Sequence, residues 1–113
     1  MAISFENNSG IGVVTVHGTL TAAIAESFRS QFAAWHQSEP DIKRVVIDLG
    51  GVTFMDSTGL GAVIGLLKRV AERGGDVTLA RPQKTVKLVF QITGADRIMK
   101  ICETLEEALK LQA

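Results

Sequence analysis

An α/β domain built on a mixed sheet of about five strands, with about four helices mainly on one face, is what this 113-residue chain predicts. Three observations carry that expectation. Arg44 to Leu49 holds a continuous Val45-Val46-Ile47 core, the composition of a central strand buried on both faces. The apolar period changes at Thr21, where Ile24, Ala25, Phe28, Phe32 and Trp35 fall at helical spacing. Finally, strand, helix and strand follow closely between Arg44 and Ala80, which predicts parallel strands joined by a right-handed crossover.

The elements follow in order. Ala2 to Glu6 and Ile11 to Val16 read as two arms of a hairpin around Asn8-Ser9-Gly10. Thr21 is a candidate N-cap for the first helix, Trp35 its last apolar anchor and Pro40 its closure. After the central strand, Gly50-Gly51 reads as a turn, since no Gly-Lys-Ser/Thr follows to make a phosphate loop. A second helix is expected from Ser57 to Arg73, with Leu60, Val63, Ile64, Leu67 and Val70 inward, stopped by Gly74-Gly75. Gly61 and Gly65 lie one turn apart on it and cost it stability relative to alanine, which points to close approach by another backbone. Asp76 to Ala80 is the next strand. Lys84 to Ile92 is a third helix, with Val86, Val89 and Phe90 inward and Gly94 as terminator. Arg97 to Cys102 is a short last strand, and Thr104-Leu105-Glu106-Glu107 has the spacing of a capping box for a final helix. No repeat or linker divides the chain, so residues 1–113 read as one domain.

The most informative stretch is Asp56-Ser57-Thr58-Gly59-Leu60-Gly61. It places a serine hydroxyl at the mouth of a helix, where unpaired N–H groups and the helix dipole gather. An exposed hydroxyl there is a natural place to add or remove a phosphate. Taken alone, Asp56 reads as an ordinary N-cap, Ser57 as an unmodified first-turn residue, and Thr58 as a rival target.

The motif resembles the hallmark Asp-Ser-Ser/Thr-Gly-Leu-Gly of the STAS domain in bacterial anti-sigma factor antagonists. Ile92-Thr93-Gly94 and Thr104-Leu105-Glu106-Glu107-Ala108 are similar to further family landmarks, so the resemblance covers nearly the whole chain. It implies that Ser57 is the phosphorylation site and that Asp56, Ser57, Thr58, Gly59, Leu60 and Gly61 form the partner-binding corner. The partners it implies are an anti-sigma factor of the serine kinase type, bound while Ser57 is unphosphorylated, and a metal-dependent serine phosphatase that resets the switch. The same chemistry also serves partner switches with a non-transcriptional output. One departure stands out: the family commonly has Gly-Glu-Leu-Asp where this chain has Gly18-Thr19-Leu20-Thr21, and the absent acidic pair motivates a rival reading as a STAS adaptor subunit of a phospholipid-transport ABC system.

Composition narrows the rest. Twelve basic and twelve acidic residues cancel, which leaves no electrostatic footprint for nucleic acid. Residues 1–56 carry three basic and six acidic side chains and residues 57–113 nine and six, an excess that reads as a solvated helix face around Lys68, Arg69 and Arg73. Cys102 is the lone cysteine, so neither an intrachain disulfide nor a thiolate zinc site can form. The N-terminus lacks the pattern of a signal peptide, and the longest apolar run, Gly59 to Leu67, is too short to cross a bilayer. The expectation is a cytoplasmic protein without membrane insertion, cofactor or metal. His17 and His36 read as strand-end or surface residues with no spacing that implies contact with Ser57, so nothing points to catalysis.

Overall fold

The structure is a computed structural model and describes residues 2–112; Met1 and Ala113, the ends of the expected domain, lie outside them. The strands are β1 (Ala2–Asn8), β2 (Ile11–Leu20), β3 (Arg44–Met55), β4 (Asp76–Ala80) and β5 (Lys100–Cys102). The helices are α1 (Ala22–Ser38), α2 (Ser57–Glu72), α3 (Lys84–Thr93) and α4 (Leu105–Gln112), with a short 3-10 turn at Ala95–Arg97 before β5. The sheet order is β1-β2-β3-β4-β5, antiparallel between β1 and β2 and parallel thereafter.

Sequential order with right-handed crossovers leaves α1, α2 and α3 little choice but to share one face. Their inward side chains, among them Phe28, Phe32, Val63, Leu66 and Phe90, meet Val14, Val45, Ile47 and Val77 in the main core. On α2 the inward set includes Ala62 and Leu66, whereas Ile64 and Leu67 are only partly buried. Helix α4 covers part of the opposite face, where Ala108 packs with Val46 and Ala80 in a small separate cluster. Its capping box forms in part as expected, the Thr104 hydroxyl accepting from the Glu107 amide at 3.1 Å.

Gly50-Gly51 is not a turn: β3 runs through it. The 12 residues of β3 pair with the 10 of β2, and the two extra residues are accommodated at register shifts opposite Thr15/His17 and Gly18/Thr19. Each shift is a β-bulge that sets two consecutive residues between core positions. Leu49 and Val52 both enter the main core although three apart, with Gly50 under the Arg81 guanidinium and Gly51 under the His17 ring between them. Val52 and Met55 repeat the pattern around exposed Thr53 and Phe54. Beside the first bulge, buried Asp48 accepts from the Gly50 amide at 3.0 Å and from Arg81 Nε at 2.8 Å, and this pair holds Arg81 at a left-handed φ of 44°. The last strand is shorter than the expected Arg97 to Cys102, because Ala95–Arg97 closes into the 3-10 turn after Gly94, whose φ of 79° ends α3.

Helices α1 and α2 are tied together at their C-terminal ends by Arg73. Its Nη1 donates to the carbonyls of Glu39 at 2.8 Å and Ile42 at 3.2 Å, and its Nη2 to that of His36 at 2.9 Å. A cation is the favourable charge at the negative end of a helix dipole, so Arg73 is structural and not part of a solvated face. Gly74 and Gly75 then complete a Schellman ending, their amides bonding Ala71 and Val70. The same closure corrects the reading of His36, which is only 1% exposed and stacks on Phe32 at 5.1 Å. Burial, and after it the Arg73 charge, holds its imidazole below the usual histidine range.

Candidate functional site

The hexapeptide Asp56–Gly61 lies at the C-terminal edge of the parallel strands, where β3 hands the chain to α2. Five of its six residues separate into three jobs. Asp56 is the N-cap of α2, with Oδ1 accepting from the Gly59 amide at 2.8 Å. Its Oδ2 accepts from the Ala22 amide of α1 at 3.1 Å. One carboxylate therefore terminates both helices at their positive ends, while Arg73, the C-cap residue of α2, closes the negative end of α1. Thr21 holds the expected N-cap position of α1, but its side chain makes no capping bond. The Thr21 carbonyl instead accepts the Ile24 and Ala25 amides at 3.0 and 2.9 Å.

The Gly59 amide first, then that of Ala22, hold the Asp56 carboxyl below the usual carboxylate range. A depressed carboxylate contributes stability that is complete above its unfolded pKa of about 4 and is lost as pH falls through the folded value. The buried His36 acts at higher pH: the unfolded chain takes up its proton below about 6.5 while the fold resists it. Asp56→Asn leaves one acceptor oxygen for two amides. It is expected to lower Tm at pH 7 by roughly 5 °C. Thermal melts across pH should show this gap beginning to narrow below about pH 4, where the unfolded chain protonates, and closing as pH falls through the lower value of the folded carboxyl; a gap constant with pH would show that the charge of Asp56 does not matter.

Gly59 and Leu60 belong to the interior. Leu60 is in the main core, and a β-carbon at Gly59 would overlap the Leu20 carbonyl oxygen. The close backbone approach expected at Gly61 and Gly65 is thus found at Gly59. A β-carbon at Gly61 would reach only an Arg29 guanidinium nitrogen, at 3.7 Å, and one at Gly65 would meet nothing within 4 Å.

Ser57 and Thr58 are left on the surface, both exposed and neither with a side-chain hydrogen bond among the described residues. The corner thus presents two hydroxyls beside a charged carboxylate on a backbone locked from below. Neither histidine is near this corner by its place in the fold. His36 is at the far end of α1, and His17 lies over the bulge at Gly51. Among the described residues no group of three His, Cys, Asp or Glu side chains could hold a metal, and no helix is long and apolar enough to cross a membrane.

A small α/β domain that displays an unengaged serine at a rigid helix entrance is suited to being read by other proteins. The chain belongs to the STAS domain family, which matches residues 2–108. The anti-sigma-B factor antagonist of Bacillus subtilis is 31% identical over 88 residues, 78% of either chain. A Thermotoga neapolitana protein assigned to the anti-sigma factor antagonists is 39% identical over 67 residues, a match covering 59% of this chain and 59% of that one. Among solved structures, an anti-sigma factor antagonist from Mycobacterium paratuberculosis superposes with a TM-score of 0.87 at 22% identity, over 98% of this chain and 92% of that one. The phosphorylated form of the Bacillus cell fate determinant SpoIIAA superposes with a TM-score of 0.72 at 25% identity, over 96% and 97%.

Proposed function

We propose that this domain is an anti-sigma factor antagonist that works by partner switching. Unphosphorylated, it binds an anti-sigma factor of the serine kinase type through the Asp56–Gly61 corner; the kinase phosphorylates Ser57 and releases it, and a metal-dependent serine phosphatase restores it in the cytoplasm. The observation that carries this reading is the exposed Ser57 hydroxyl, first residue of α2, on a turn whose neighbours Asp56, Gly59 and Leu60 are all engaged within the fold. The names of the relatives support it, as does the existence of a phosphorylated form of SpoIIAA. In this reading the domain is a substrate and a ligand of other proteins, and it performs no catalysis.

Two of the amide donors at the mouth of α2 are already engaged with Asp56, that of Gly59 by its Oδ1 and that of Leu60 by its carbonyl at 3.0 Å, which fixes the carboxylate beside Ser57. A phosphate on Ser57 would therefore stand beside the Asp56 carboxylate and project toward whatever is docked there. The test is phosphorylation by a purified anti-sigma kinase from the same organism, with the site mapped by mass spectrometry. Ser57 should carry the phosphate, and Ser57→Ala should carry none. Modification at Thr58, or equal labelling of Ser57→Ala, would reject the assignment. Stable binding to a transporter ATPase that ignores Ser57 would favour the adaptor role raised by Thr19 and Thr21.

A further inference from the structure

Helices α1 and α2, tied at both ends, leave a groove of about 310 Å³ between them. Phe28, Phe32 and Leu66 form its apolar floor, and Arg29, Lys68 and Arg69 stand on its rim with Glu72. Among the described residues none of these three cations makes a hydrogen bond or an ion pair, although Glu72 lies only three and four positions from Arg69 and Lys68. The groove thus carries a net positive charge, three cations to one carboxylate, over an apolar base.

Gly65 lines the same groove, and the space where its side chain would be is open. No contact within the fold requires a glycine there, and a glycine in a helix interior is unfavourable. Any larger residue would project into the groove. The structure therefore gives this glycine one evident consequence, which is to keep the groove open. The site is distinct from the Ser57 corner and does not depend on its phosphorylation.

We propose that the α1–α2 groove binds a small amphipathic anion: an apolar body over Phe28, Phe32 and Leu66, with a single carboxylate or phosphate head held by Arg29, Lys68 and Arg69. An apolar recess with a few convergent charged groups is the usual form of a small-ligand site, and 310 Å³ lies at the low end of its size range. Guanidinium and ammonium groups favour an oxyanion through charge-assisted hydrogen bonds.

Isothermal titration of the full chain with octanoate tests this, with octyl phosphate as the alternative head group and octanol and inorganic phosphate as half-ligands. Octanoate or octyl phosphate should saturate with a Kd of about 1 mM or tighter, and each half-ligand should bind at least about tenfold more weakly. Whichever of the two binds more tightly identifies the head group. Gly65→Leu fits the open space, so it should preserve or raise Tm while abolishing binding. The pair Lys68→Glu and Arg69→Glu should weaken binding by about tenfold or more with an unchanged circular dichroism spectrum. The proposal is overturned if neither amphiphile saturates, if Gly65→Leu binds as well as wild type, or if inorganic phosphate alone binds as tightly. It is equally overturned if an acidic helical peptide occupies the groove while octanoate does not, or if the groove proves to be a self-association surface that Gly65→Leu disrupts.

Discussion

Ser57→Asp is expected to weaken binding to the proposed kinase partner by about a hundredfold or more, while Ser57→Ala stays within about threefold of wild type. The reasoning is electrostatic. Ser57 adjoins Asp56, whose carboxylate is fixed by hydrogen bonds from two backbone amides and cannot swing away from an added charge. A docked partner would have to bury a second negative group against the first, and like charges brought together in an interface cost on the order of several kcal/mol. Phosphate carries roughly −1.5 to −2 charges at neutral pH, so the modified domain should bind still more weakly than the aspartate variant. The domain itself should stay folded, because Ser57 makes no side-chain bond that the substitution would break. Surface plasmon resonance on the three proteins reads the affinities directly. Equal affinities for all three would eliminate release by charge.

Gly59→Ala should be the most damaging single-methyl substitution in the motif, costing on the order of 3–5 kcal/mol. The added β-carbon would overlap the Leu20 carbonyl oxygen, which also accepts the Asp56 amide at 3.3 Å. Backbone cannot rotate aside as a side chain can, so the first turn of α2 would have to lift from β2. That movement would also pull Asp56 from the Ala22 amide and release the start of α1. Gly61→Ala is the internal control. It meets only the end of a flexible Arg29 side chain and removes a helix-interior glycine, so it should be neutral or stabilising by up to about 1 kcal/mol. Urea denaturation distinguishes the two, and similar midpoints would refute the steric argument.

The parts of the fold that the sequence made legible are those with unbroken local patterns. Val45-Val46-Ile47 announces the central strand because both faces of β3 are covered there. The helical spacing of Phe28 and Phe32, the stop at Gly74 and the cap at Thr104 all arise from residues a few positions apart. The second half of β3 was hidden for a physical reason. Two bulges break the period of two, so Gly50-Gly51 resembles a turn although it is paired strand. Long-range bonds were equally invisible. Asp56 reaches Ala22 across 34 positions and Arg73 reaches the His36 carbonyl across 37, and neither partner type advertises the contact. Hence the sequence marks Thr21 as the N-cap but not the Asp56 carboxylate that bonds there, and it reads His36 as a surface residue. Within the candidate site, the motif names six adjacent residues, and only the packing of the fold separates exposed Ser57 and Thr58 from interior Gly59 and Leu60.

Helix α4 rests on its own cluster of Val46, Ala80 and Ala108, apart from the core that holds the other three helices. Detaching it uncovers one small patch of the sheet and breaks no contact of the main core, which makes it a separate cooperative unit of low opening energy. Backbone amides of α4 should therefore exchange with deuterium well before those of β3. Cys102 lies half-buried against that patch, its thiol pushed up by burial. Its rate of alkylation would keep time with the same opening, so this lone cysteine serves as a built-in clock for the motion of the C-terminal helix.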